Sequence, residues 1–127
     1  EKVVYQDDVF QVRIPTTLGE ITVLPGHIPL VSALQSGELQ IKDKDGDHAF
    51  AISGGCVEIK EGDDIVILAH NIERATDIDI ARAEEAKKRA KEMLESSKHE
   101  ENIDFARLQA LIDREFNRIR VGNKYRK

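Results

Sequence analysis

Apolar and polar positions alternate with a period of two along the first half of the chain and with a helical period along the second. Residues 9–14 set Phe10, Val12 and Ile14 on one side and Gln11 and Arg13 on the other, the mark of a strand with one buried face. Shorter runs of the same kind cover 20–24, 38–42, 48–53, 56–60 and 64–69. Turn signals separate them: the Asp- and Lys-rich stretch 42–47 around Gly46, the pair Gly54 and Gly55, and Glu61, Gly62 and Asp63. Short strands at roughly ten-residue spacing predict an antiparallel β-sandwich or flattened barrel.

Beyond residue 76 the period changes. Thr76 or Asp77 is the predicted cap of a helix starting near Ile78, in which Ala83, Ala86, Ala90 and Met93 recur at steps of three and four. Residues 96–101 contain no apolar side chain. A second stripe follows through Phe105, Leu108, Ile112, Phe116 and Ile119, with Asn102 or Asp104 as cap. The two helices are expected to fold back on each other near residue 100, alanine seam against larger side chains. The predicted class is therefore α+β: a β-sandwich domain over 1–72 and a helical hairpin over 73–127. Punctuation agrees, because all three prolines and seven of the eight glycines precede residue 63. Two helices bury little core, so the hairpin is expected to be marginal alone and responsive to a partner or ligand.

Charge sharpens the division. The chain has 127 residues and a net charge of −5, which disfavours nucleic acid as the main partner. Residues 1–70 carry 5 basic and 12 acidic side chains, whereas residues 71–127 carry 14 and 12. So short a chain leaves little room for a deep catalytic core. The one cysteine, Cys56, excludes an internal disulfide and a multi-cysteine zinc site; without a basic neighbour in sequence it is expected to be a buried structural thiol. Asp43, Asp45 and Asp47 suggest a calcium loop, but Gly46 stands fourth rather than sixth and Gly54 occupies the glutamate position, so a solvated hairpin turn is preferred. His27, His48, His70 and His99 share no metal-ligand spacing. The longest apolar run, 65–69, is far below the ~20 residues of a membrane span.

Arginine spacing points to one candidate site. Arg82 and Arg89 lie close to one face of the first helix, with Asp79 beside them, and Arg114 and Arg118 stand at i and i+4 on the second. Folding near residue 100 brings Arg89 level with Arg114 and Arg82 level with Arg118. Four guanidinium groups so placed repel one another unless an anion sits among them, and arginine forks suit phosphate. Solvated surface arginines, with Asp79 and Arg82 as an ordinary helical pair, are the other reading of the same residues.

The stretch GEITVLPGHIPLVSAL over 19–34 resembles the signature of the epsilon subunit of the F-type ATP synthase, the counterpart of the mitochondrial delta subunit. The resemblance continues in order through Gly54, Gly55 and CVEI, the segment NIERATDID and the alanine-rich helix, and so spans essentially the whole chain. Members of that family carry a further strand before the position of Glu1, so the β domain is expected to lack its first strand. The resemblance implies a non-catalytic rotor subunit of the central stalk, coupling proton translocation to ATP synthesis. Its implied partners are the gamma subunit, the ring of c subunits and the alpha/beta catalytic head, at the cytoplasmic face of a bacterial membrane and without a span of its own. It also implies a mobile hairpin that inhibits ATP hydrolysis when extended, with Arg114, Arg118, Arg120, Lys124 and Arg126 gripping acidic segments. Some bacterial members bind ATP in the folded hairpin through a motif I/L-D-x-x-R-A, which here reads Ile78-Asp79-Ile80-Ala81-Arg82-Ala83. Carried over position by position, Ile78 and Asp79 contact the adenine end, Arg82, Arg89, Arg114 and Arg118 surround the phosphates, and Glu73 is a further polar contact, with no metal required. The alternative is a stand-alone β-barrel protein-binding module with a helical arm and no nucleotide.

Overall fold

The computed structural model describes residues 5–96 and 104–126. Residues 97–101 of the predicted helix break, including His99, lie outside these, as do the alternative cap Asn102 and Lys127. The chain divides into two compact units, Glu1–Arg74 and Ala75–Lys127.

In the first unit every strand pairing is antiparallel. β1 (Gln11–Thr16) lies between β2 (Gly19–Val23) and β4 (Gly37–Asp43). β5 (Gly46–Ile59) pairs with β4, with β3 (Leu30–Ala33) and with β6 (Ile65–Arg74). The far end of β1 also reaches β3, where Thr16 bridges Leu34 and the Gln35 N–H donates to the Pro15 carbonyl at 3.0 Å. The sheet thus curls into a half-barrel around Ile14, Leu39, Phe50, Ile52, Val57 and Ile59, all essentially sealed from solvent. At roughly 1.5–3 kcal/mol per fully buried large apolar side chain, this cluster dominates the unit's stability.

The predicted strands 48–53 and 56–60 are one strand, because Gly54 and Gly55 bend β5 instead of turning it, at φ of +70° and +116°. A Cβ on Gly55 would fall 2.0 Å from the Leu68 carbonyl oxygen, so only glycine lets β6 approach this closely. β3 has only four residues and was not legible as an alternating run. Cys56 is exposed rather than buried. Its neighbours Val57 and Ile59 face the core, so strict alternation turns Cys56 and Glu58 outward.

In the second unit a 3-10 turn over Ala75–Asp77 precedes α1 (Ile80–Ser96), and α2 (Phe105–Lys124) follows. That turn uses up both predicted cap residues. Asp79 caps α1 instead, its carboxylate accepting the Arg82 N–H at 3.1 Å. Asp104 caps α2 through the Arg107 N–H at 3.0 Å.

The helices pack antiparallel at the predicted register: Gly122 lies against Ile78 and Ile80, and the Lys87 ammonium sits 5.0 Å above the Phe116 ring. Ala83 and Ala90 are buried in α1, but Met93 is exposed. In α2 the buried residues are Ile112, Glu115, Asn117, Val121 and Gly122, with Ile119 half-buried, while Phe105 and Phe116 are exposed. The helices approach closely at Gly122, where a Cβ would be only 3.0 Å from Ile80 and 3.2 Å from Ile78.

Candidate functional site

Arg82 and Arg89 are exposed on α1, and Arg114 and Arg118 are half-buried on α2. The helix register sets Arg82 level with Arg118 and Arg89 level with Arg114 along the two helices, and a guanidinium fork suits an oxyanion. The acidic group that engages two of them is Glu115. Its carboxylate, with a side chain only 2% exposed, accepts from Arg114 at 3.3 Å and from Arg118 at 2.8 Å. The reading from spacing placed Asp79 beside the arginines and overlooked Glu115. A signal was present, since REFNR sets a carboxylate beside one arginine and three positions before another, on the same line as Ile112 and Ile119.

The other predicted residues are dispersed. Ile78 is buried against Gly122 in the helix seam, and Asp79 is an exposed cap. Glu73 lies in β6 of the first unit, opposite Ala51. Arg120 donates to the Asn117 side-chain oxygen at 2.9 Å, the Lys124 ammonium lies 5.5 Å from the Tyr125 ring, and the Arg126 side chain is exposed. The basic tail is thus largely at the surface.

A second feature belongs to the first unit and was not anticipated. Across β3, β5 and β6, Val31 stands opposite Glu58 and Glu58 opposite Val66; one pair further along, Ala33, Cys56 and Leu68 form the next row. With Val31 71% and Leu68 about half exposed, this outer face carries apolar side chains of the kind that mark an interaction surface.

The hairpin turn at Asp43 is only partly solvated, because Asp43 itself is buried. It accepts from the Tyr5 hydroxyl at 2.5 Å, the Asp45 N–H at 2.8 Å and His48 Nε2 at 3.0 Å. The Tyr5 hydrogen bond holds this carboxyl below the usual carboxylate range, aided by Asp45 and His48 and opposed by burial. Burial, then the same carboxylate, pushes the Tyr5 hydroxyl up. Asp7 and Asp45 bring carboxylate oxygens within 4.8 Å of those of Asp43, but Asp43 already has three donors.

Comparison with known proteins covers both units. The family described as ATP synthase, Delta/Epsilon chain, beta-sandwich domain matches residues 1–75, and the corresponding long alpha-helix domain matches residues 76–123. The ATP synthase epsilon chain of Halalkalibacterium halodurans is 41% identical over 121 residues, which cover 95% of this chain and 90% of that one. That of Nitratidesulfovibrio vulgaris is 43% identical over 124 residues, covering 97% and 90%. Among solved structures, a chain of the Euglena gracilis mitochondrial ATP synthase, in a cryo-EM structure of OSCP, F1 and c-ring, shares the fold with a TM-score of 0.72 at 23% identity, covering 98% of this chain and 76% of that chain.

Proposed function

Since the chain belongs to the ATP synthase delta/epsilon family, we propose that it is a rotor subunit of the central stalk, coupling proton translocation to ATP synthesis and restraining ATP hydrolysis through its helical hairpin. It performs no bond chemistry itself. The first unit docks on the gamma subunit and the c ring, for which the apolar outer face of β3, β5 and β6 is the supporting feature. The second unit is the regulatory arm, facing the alpha/beta head when extended. The assembly sits peripherally on the cytoplasmic face of a bacterial membrane. No helix among the described residues is long and apolar enough to cross one.

The arm also binds ATP, and the observation that carries this is the hairpin register, which sets Arg82 level with Arg118 and Arg89 level with Arg114. Arg114 and Arg118 keep 37% and 25% of their side chains exposed, so a phosphate can reach them without unfolding the pair. Guanidinium forks across two helices then tie the hairpin shut. A ligand that binds only the folded hairpin stabilises it by about 2.7 kcal/mol at a hundred times its Kd, enough to bias an arm held by little core. ATP therefore favours the folded, non-inhibiting form.

Calorimetric titration of the full chain with ATP tests this. Saturable heat is expected from the native chain and at least tenfold weaker binding from an Arg82→Ala/Arg89→Ala double variant; a native chain that gives no heat overturns the ATP claim. Docking is tested separately by co-purification with gamma and the c ring. A Val31→Glu/Leu68→Glu variant is expected to lose that association, and full retention would remove the apolar face from the interface.

A further inference from the structure

We infer that Glu115 is a built-in counter-anion for Arg114 and Arg118, partly neutralising and engaging their guanidinium groups in the ligand-free hairpin so that a polyphosphate must compete with it to be gripped. The inference rests on the ATP reading above and deepens it by naming the residue that sets how tightly this chain holds phosphate.

Glu115 lies on the inward line of α2, between Ile112 and Ile119. A carboxylate buried to 2% exposure is costly unless it is paired and hydrogen-bonded. Here both partners come from its own helix, one residue before and three after, at 3.3 Å and 2.8 Å. The group is therefore complete before any ligand arrives. The carboxylate also offsets the mutual repulsion of the two half-buried arginines beside it.

The same arrangement creates competition. The bonds from guanidinium to carboxylate and from guanidinium to phosphate are of one kind, charge-assisted and directional. At Arg114 and Arg118 a phosphate competes with a carboxylate that already holds one N–H of each and partly cancels their charge, whereas Arg82 and Arg89 are exposed to water. Glu115 is thus a positioning residue. It keeps two guanidinium groups aligned and lowers the net gain on binding.

The test uses the full chain with ATP and with inorganic tripolyphosphate as probes, comparing native, Glu115→Gln and Glu115→Asp forms by calorimetry and by helical circular dichroism on heating. Glu115→Gln is expected to bind both probes at least tenfold tighter, about 1.4 kcal/mol, while its hairpin melts at lower temperature without them. Glu115→Asp keeps the charge and is expected to bind as the native chain does. If Glu115→Gln unfolds the hairpin, millimolar tripolyphosphate should restore the helical signal; failure to restore it overturns the inference. A native chain that binds ATP beside a folded Glu115→Gln that binds no tighter overturns the inference and leaves the ATP reading standing. A silent native chain beside a binding Glu115→Gln supports the counter-anion and removes the ATP reading for the native protein. Silence from both overturns both.

Discussion

The curled sheet buries Phe50, Ile14, Leu39 and Ile52 completely, whereas the helical pair buries Ile78, Ile112 and Val121 among the small residues Ala83, Ala90 and Gly122 and a carboxylate. The difference is one of net stabilisation per ordered residue. Large apolar side chains return roughly 1.5–3 kcal/mol each on burial, while alanine and glycine return little against a backbone ordering cost of about 1–2 kcal/mol per residue. The sheet draws its stability chiefly from that apolar core. The hairpin buries fewer large apolar side chains than the sheet does.

The comparison breaks most visibly at Phe50. Phe50→Ala is expected to cost the first unit about 3–5 kcal/mol, read from the urea midpoint followed by amide exchange in β4 and β5; a loss below about 1 kcal/mol would mean the core is not what holds the sheet. Gly122→Leu forces a side chain into the space beside Ile78 and Ile80 and is expected to destabilise the hairpin by about 1–3 kcal/mol. Its helical melt should fall while exchange in the sheet is unchanged, and equal loss in both units would refute their separate stabilisation. Asp79→Ala removes the cap of α1 at a cost of about 1 kcal/mol, measured by the same melt; no change would show that α1 starts without it.

The smallest effect is pH-dependent and belongs to the sheet. Asp43 is held below its ordinary 3.8 in the folded chain. It therefore contributes stability that is present above that value and is lost as pH falls through the folded one. Tyr5→Phe removes the chief cause of the depression, so its urea midpoint should fall less between neutral and strongly acidic pH than that of the native chain. Identical acid sensitivity would exclude the Tyr5 hydrogen bond as the cause.

Much of the architecture could be read before any coordinates. Alternation located β1, β4 and β6, and the expected fold-back near residue 100 agrees with a register in which Lys87 meets Phe116 and Gly122 meets Ile80. The errors share a physical origin. Periodicity counts apolar residues, so it cannot see a seam built from Gly122 and Glu115, and it drew α2 inward at Phe116. Gly54 and Gly55 were read as a turn because positive φ is common there, yet the same freedom serves a bend inside a ladder. Cys56 could have been placed correctly, since Val57 and Ile59 already claimed the core face. Of the candidate site, the spacing of Arg82, Arg89, Arg114 and Arg118 was visible, and so was a carboxylate in reach of two of them, but not its burial, which depends on how closely the helices meet.

β5 deserves a last mechanical consequence. One edge of this strand is held by β4 as far as Ile52 and by β3 from Cys56, while β6 lines the other edge from Phe50 to Ile59. A single covalent backbone therefore joins the two stretches, and no line of hydrogen bonds alone separates them. A load taken up from β3 by its ladder with β5 runs along the β5 backbone before it reaches the ladder with β4. For a part proposed to turn with a shaft, such a strand works as a stiff spoke, passing twist from one side of the sheet to the other with little give.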